Sequence, residues 1–172
     1  MTSPTSADAQ GGIDLEPVTP QHFWRLRGPK VDAFDRVLVR YLGWSLNAFQ
    51  NCQLRRNPYT PCLLLTTVGR RSGQLIERVL PYHVHEDGFV VIGSNGGSEK
   101  DPGWVWNLRS EPRCWIWKDR AQLPVTAKEL TGERRVEALQ SVLAERPYAE
   151  DYEIRTSMHG RVMPVVLLTP QR

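Results

Sequence analysis

The stretch Leu63–Leu108 reads LLLTTVGRRSGQLIERVLPYHVHEDGFVVIGSNGGSEKDPGWVWNL, and its punctuation decides the fold. Leu63 to Val68 is a short apolar run, partly β-branched. Gly69 and Gly73 then bracket Arg70, Arg71 and Ser72, and strand character resumes from Leu75 to Val84. This is a β-hairpin with a basic tip. The glycines permit positive φ and are expected to leave backbone N–H groups facing outward. Two guanidiniums and a hydroxyl add donors matched to phosphate or carboxylate oxygens. Arginine is also common on solvated turns, so the turn by itself does not separate an anion site from a plain loop.

Further along, Phe89 to Ser94 forms a third strand after the turn Glu86-Asp87-Gly88 and opens into Asn95, Gly96 and Gly97. Asp101 is positioned to N-cap a short helix with Pro102 at its first position. Trp104, Asn107 and Leu108 then fall at i, i+3 and i+4 on one face. An amide on an apolar face must find hydrogen-bond partners, so Asn107 either braces a neighbouring backbone or reaches a ligand.

Outward from this stretch, Cys114 to Lys118 alternates with Trp115 and Trp117 on one face, and Gln122 to Ala127 can pair with it. Met163 to Leu168 supplies a last apolar strand. Val136, Leu139, Val142 and Leu143 mark the apolar face of a longer helix that starts near Thr131 and stops at Pro147. Upstream, Val31, Phe34, Val37, Leu38, Tyr41 and Leu42 recur at helical spacing after Pro29, with Asp32, Asp35, Arg36 and Arg40 opposite. That apolar face is expected to pack on the sheet. The order is helix, three strands, short helix, two strands, longer helix and final strand, enough to close one small barrel. A chain of 172 residues with 40% hydrophobic composition and six tryptophans suits one domain. Residues 1–21, rich in small and polar residues and without a signal-peptide core, are expected to be a flexible tail, leaving 22–172 as the domain.

Composition removes several function classes. A net charge of +3, with arginines interspersed among carboxylates and no recognised motif, excludes nucleic acid as the partner. Trp24, Arg25, Arg27 and Lys30 ahead of the first helix leave room for a weak membrane-surface contact, and the mixed charges argue against firm anchoring. Cys52, Cys62 and Cys114, odd in number and without CxxC spacing, read as buried thiols of a reducing cytoplasm. His83 and His85 share one face of a strand, but no further ligand is placed to complete a site, and no metal is expected. Ser72 and Ser94 lack a nucleophile elbow and cannot be paired with His22 or His159, which argues against a hydrolase triad. Trp115 and Trp117 read as core or dimer surface.

The run LLLTTVGRRSG, followed at similar spacing by SNGG, Pro102, Trp104 and Asn107-Leu108, resembles the actinobacterial deazaflavin-dependent nitroreductases, which use coenzyme F420. The resemblance covers roughly Cys62 to Pro170. It implies an α+β fold, the split β-barrel shared with FMN-binding proteins. About six mainly antiparallel strands are expected, with an N-terminal helix, a short cofactor-site helix and a later longer helix. It also implies that Arg70, Arg71 and Ser72 hold the anionic tail of coenzyme F420 and that Val79, Leu80, Pro81 and Tyr82 add contacts. Ile92, Gly93, Ser94 and Asn95 would lie against the deazaflavin ring, and Gly103, Trp104, Val105, Trp106 and Asn107 would complete the pocket. An ungapped count puts Ala149 where some members carry a tyrosine near the substrate. Tyr152 matches another family tyrosine, and Tyr148 can substitute if the loop shifts by one residue. Nitro reduction is therefore left open.

The activity this implies is hydride transfer from the reduced deazaflavin to an electron-poor acceptor, a quinone, nitroaromatic or activated enone. The protein's task is to fix the ring, exclude water and supply a proton, with Tyr152, Tyr148 and Ser94 as candidates to orient the acceptor or donate that proton. Two alternatives stand beside it. The barrel can bind FMN and act as a reductase or oxidase, since an arginine-bearing turn also holds a single phosphate. The chain can instead store coenzyme F420 without turnover, which Ala149 permits. Expected partners are a small-molecule acceptor and a second copy of the chain.

Overall fold

The computed structural model describes residue 26 and residues 28–86 and 88–171. The expected tail at 1–21, together with His22, Trp24, Arg25, Arg27 and Asp87, lies outside the described residues. Seven strands are formed: β1 Cys62–Val68, β2 Leu75–Pro81, β3 His83–His85, β4 Gly88–Ile92, β5 Arg113–Lys118, β6 Ala121–Glu129 and β7 Val165–Pro170. The helices are α1 Pro29–Leu42, α2 Leu46–Leu54, α3 Gly103–Ser110, α4 Gly132–Glu145 and α5 Glu150–Met158, with single 3-10 turns at Asn95–Gly97 and Pro147–Ala149.

All strand pairings are antiparallel, in the order β2-β1-β5-β6-β7-β4-β3. The two edge strands, β2 and β3, are consecutive in the chain and separated only by Tyr82. The sheet must therefore curl until its edges meet end to end, which makes a split barrel with its seam at Tyr82. Here the expected single run Leu75–Val84 is broken, so four strands precede α3 instead of three and the total is seven instead of about six. Pro81 makes the last strand pair with β1, opposite Cys62; Tyr82 adds one bond to Pro61 O at 3.3 Å, Pro61 has no N–H to return it, and His83 switches to Val90 of β4.

Alternation along the strands builds two cores. Val166 and Leu168 of β7 face the barrel interior with Leu63, Leu65, Val91, Ile116 and Val125, and α3 plugs that interior with Trp104, Val105 and Leu108. Val165 and Leu167 face the other way, where Ala138, Leu139 and Val142 of α4 cover them. Each fully buried Leu, Ile or Val contributes about 1.5–3 kcal/mol of hydrophobic stabilisation. α4 keeps its expected limits, with Thr131 as N-cap and Arg146 leaving the helical region before Pro147.

α1 departs from expectation. Of its apolar positions, Phe34, Val37, Tyr41 and Leu42 are exposed and Val31 and Leu38 only half-buried, while the buried residues are Val39 and, from the supposed solvent side, Asp35. Non-local polar partners explain the rotation. Asp35 accepts hydrogen bonds from the backbone N–H of Leu46 at 2.6 Å and from Ser45 Oγ at 3.0 Å, so its carboxylate serves the N-terminus of α2. Arg40 pairs with Glu77 of β2 and lies over the Trp117 ring, while Arg36 approaches the same Glu77 at 3.8 Å. The charged face of α1 thus meets the sheet.

Candidate active site

The basic turn is held from both sides. Gly69 donates to Gln74 O at 2.8 Å, Gly73 donates to Gly69 O at 2.7 Å, and Gly73 adopts φ 68°, a left-handed geometry that favours glycine. Asn107 of α3, only 4% exposed, accepts from the Arg70 N–H at 3.2 Å and donates to Thr67 Oγ1 at 3.1 Å. Of its two open roles, the amide takes the bracing one. The N–H groups of Gly69, Arg70, Ser72, Gly73 and Gln74 are all spent inside the protein. This corrects the expectation of outward-facing backbone donors, because a six-residue hairpin loop needs those bonds to close. The donors left for an anion are the Arg71 N–H and the side chains of Arg70, Arg71 and Ser72.

The SNGG loop is organised by a residue that sequence reading missed. Arg161 donates to the carbonyls of Gly93 at 3.0 Å, Ser94 at 2.9 Å and Ser98 at 3.1 Å, and to Asp101 Oδ1 at 2.7 Å. Asp101 is therefore not the N-cap of α3, as its position suggested. Pro102 takes that place, and the Asp101 carboxylate is held between Arg161 and Arg109, the latter also at 2.7 Å. Arg109 in turn grips Glu129 of β6 with two bonds of 2.7 and 2.8 Å. Asn95 folds its amide back onto Ser98 Oγ and Lys100 O. Gly97, at φ 81°, lies so near α5 that a Cβ would come within 2.7 Å of Arg155 Cβ.

Two hollows share a wall. The smaller, about 230 Å³, is lined by Arg70, Arg71, Ser72, Arg78, Gly103, Trp104 and Asn107 among others. The larger, about 730 Å³, runs from Leu80, Pro81, Ile92, Ser94, Asn95, Gly103 and Trp104 to Arg55, Arg146, Tyr148, Ala149, Tyr152 and Arg155. Arg78, Gly103 and Trp104 belong to both, so the two hollows adjoin at the N-terminus of α3. Nothing stands within 4 Å of where a Cβ on Gly103 would sit. Arg78 faces inward from β2 between Ile76 and Leu80, and a charge at an inward strand position was the signal that could have found it.

The remaining expected residues scatter. Val79 lies on the opposite face of β2, beside Asp35 and Arg36. Tyr82 packs edge-on against Phe89, with ring centroids 5.6 Å apart, and borders a side hollow shared with Arg146 and Tyr148. Gly93 is wedged against Val105 and Pro164. Val105 is part of the barrel core, and Trp106 is 44% exposed beneath the guanidiniums of Arg70 and Arg109.

At the far end of the larger hollow, the Tyr148 hydroxyl lies 3.0 Å from Thr60 Oγ1, and the Arg55 guanidinium covers the rings of Tyr148 and Tyr152. Ala149 is buried in the packing of α4. Burial pushes the thiols of Cys62 and Cys114 up to about 12, which leaves them protonated at neutral pH and poor nucleophiles. His83 pairs with Glu145 at 2.8 Å, and no group of three or more potential metal ligands occurs among the described residues.

A basic turn, a glycine-rich loop and a tyrosine-lined hollow thus adjoin at the N-terminus of α3. A model of the F420H(2)-dependent quinone reductase family matches residues 39–170. The chain belongs to that family. Its cofactor is coenzyme F420, and it is an F420-dependent reductase of the split-barrel type. An F420H(2)-dependent quinone reductase of Mycobacterium tuberculosis (strain H37Rv) is 31% identical over 109 residues, 63% of this chain and 73% of that relative. The solved structure of an F420-H2-dependent reductase, FDR-A, matches with a TM-score of 0.56 at 28% identity, covering 63% of this chain and 93% of that one. A structure described as a domain-swapped dimer matches with a TM-score of 0.57 at 28% identity, covering 63% of this chain and 79% of that one. The residues present fit the cofactor: side-chain cations line the smaller hollow for an anionic tail, and the open space over Gly103 leads to a larger hollow with room for a ring system.

Proposed function

We propose that this quinone reductase family member passes a hydride from reduced coenzyme F420 to a quinone bound at the tyrosine end of the larger hollow. The observation that carries the reading is the continuity of that hollow, whose wall joins Ser94, Gly103 and Trp104 to Tyr148 and Tyr152. Bound there, the reduced deazaflavin supplies the hydride. Arg70, Arg71, Ser72 and Arg78 hold the anionic tail, with Asn107 keeping the turn in place. The loop stapled by Arg161 fixes Ile92 to Asn95 as a floor for the ring. Trp104, 6% exposed, forms an apolar wall, and Tyr148 and Tyr152, held under Arg55, orient the acceptor. Tyr152 or Ser94 delivers the proton that completes the product.

The test is a fluorescence titration with coenzyme F420 and separately with FMN, followed by addition of a naphthoquinone and a nitroaromatic to the reduced complex. Deazaflavin binding and quinone turnover are expected. Binding of FMN alone would overturn the reading, and deazaflavin binding without turnover of either acceptor would favour storage. Arg71→Ala is expected to weaken cofactor binding by about 1.5–3 kcal/mol, the scale of a charged hydrogen bond, and to reduce its salt sensitivity. The same titration repeated across salt concentrations checks this.

We place the enzyme in the reducing cytoplasm, a reading supported by the three buried free cysteines. The similarity to a domain-swapped dimer supports a homodimer, which equilibrium sedimentation would detect. No helix among the described residues is long and apolar enough to cross a membrane. A weak membrane-surface contact would use the exposed Phe34, Val37, Tyr41 and Leu42 of α1, and co-sedimentation with vesicles would reveal it.

A further inference from the structure

Among the cations around the larger hollow, Arg146 stands apart. Arg55 and Arg155 are exposed, whereas Arg146 is 6% exposed, and its Nε has no hydrogen-bond partner. No carboxylate lies within salt-bridge distance of it among the described residues. Its sequence neighbour Glu145 pairs with His83 at 2.8 Å through a side chain that is 64% exposed. Burial lowers the affinity of the guanidinium for its proton, and the groups in its field that oppose this are the Tyr148 phenol, the Glu145 carboxylate and the Cys62 thiol. An arginine nevertheless stays charged in a protein. A buried cation with no counter-ion in direct contact is costly, and replacing such a group by an apolar side chain is commonly neutral or stabilising. The fold has no evident use for it. The hollow does, because Arg146 lines it together with Tyr148, Ala149 and Tyr152.

We propose that Arg146 is the anion-stabilising group of the acceptor end, set to neutralise the negative charge that appears on a quinone oxygen as hydride arrives. The inference rests on the quinone reading above. In the step, the C–H bond of the reduced cofactor breaks as a new bond to the quinone forms. The quinone gains two electrons and one hydrogen and becomes a hydroquinone monoanion, and a proton then completes the hydroquinone. The charge resides on oxygen between those two events. A guanidinium already stripped of water meets it without reorganisation, and its field inside the hollow is screened far less than that of Arg55 or Arg155. The same site should prefer an acceptor that carries a negative oxygen before reaction. Arg146 is thus a specificity residue as well as a catalytic one.

The experiment measures three quantities on the full chain. The first is ligand preference: quenching of intrinsic tryptophan fluorescence by a hydroxynaphthoquinone that is ionised at neutral pH, against its neutral methyl analogue. Both are titrated into cofactor-free protein and into the oxidised complex. The wild type is expected to bind the ion at least about tenfold more tightly, with Arg146→Met abolishing the preference and Arg146→Lys restoring part of it. The second is the pre-steady-state rate of hydride transfer to the neutral quinone, expected to fall about a hundredfold in Arg146→Met, with deazaflavin affinity unchanged and KM moved little. The third is Tm, expected to stay level or rise in Arg146→Met.

A wild type with no preference for the ion overturns the proposal without any variant. Equal losses of both ligands, or a fallen Tm with unchanged preference, would make Arg146 a structural group and overturn it equally. Failure of the quinone reading looks different: no deazaflavin binding, or no turnover in the wild type, with the titration of the cofactor-free protein still deciding the role of Arg146.

Discussion

Arg161→Met is expected to lower stability by about 3–5 kcal/mol and to abolish tight cofactor binding. The guanidinium spans Gly93 O, Ser94 O, Ser98 O and Asp101, and both members of the ion pair have side chains only 10% exposed. Methionine fills similar volume and offers no donor, so three carbonyls lose a charged partner and the Asp101 carboxylate keeps only Arg109. For a domain of this size the loss corresponds to a fall in Tm of roughly 10–15 °C. The functional loss should exceed the stability loss, because the freed residues floor the larger hollow. Calorimetry together with deazaflavin titration at a temperature where the variant is folded checks both. A variant with wild-type Tm and affinity would show that the loop holds its shape through Asn95 and Gly97 alone.

The second large effect is expected from Asn107→Leu, which keeps the volume and removes both hydrogen bonds. The Arg70 N–H would be left without its partner and the hydroxyl of Thr67, a residue 1% exposed, with only its 3.4 Å bond to Ile76 O, at a cost of about 1–3 kcal/mol together. The turn then loses its tether to α3, so the cations of the smaller hollow sample more positions and an anionic tail binds more weakly. Amide exchange at Arg70 should accelerate more than exchange in β1. If cofactor affinity is retained while Tm falls, the tether serves the fold and the turn is rigid without it.

What the sequence made legible was local. The hairpin, the SNGG loop, the short helix and α4 are marked by glycine, proline and apolar spacing within a dozen residues, and all of them form, with the run Leu75–Val84 broken at Tyr82 and the short helix starting one residue late. α1 was misread because a helical pattern records apolar spacing and carries no information on a carboxylate such as Asp35 being drawn to the N-terminus of the next helix. Asp101 was misread for the same reason in reverse: its two arginine partners lie eight and sixty residues away. Arg146 and Arg161 carry no local signature at all, and Arg78 carries only that of a charge at an inward strand position. Their roles exist only after the sheet has curled and brought β2, the end of α4 and the segment after α5 around one hollow.

That curl has a consequence for how the molecule meets others. An open sheet offers two free ladders to which a foreign strand can add. Here the two terminal strands adjoin through Tyr82, so among the described residues the ladder is interrupted at a single seam. One lip of it, β3, is three residues long, and the other ends in Pro81, with Glu77 bonded to α1. Aggregation by strand addition has little to grip, and Leu80 and Pro81 at the end of that lip, with Ile92, line the larger hollow proposed for the acceptor.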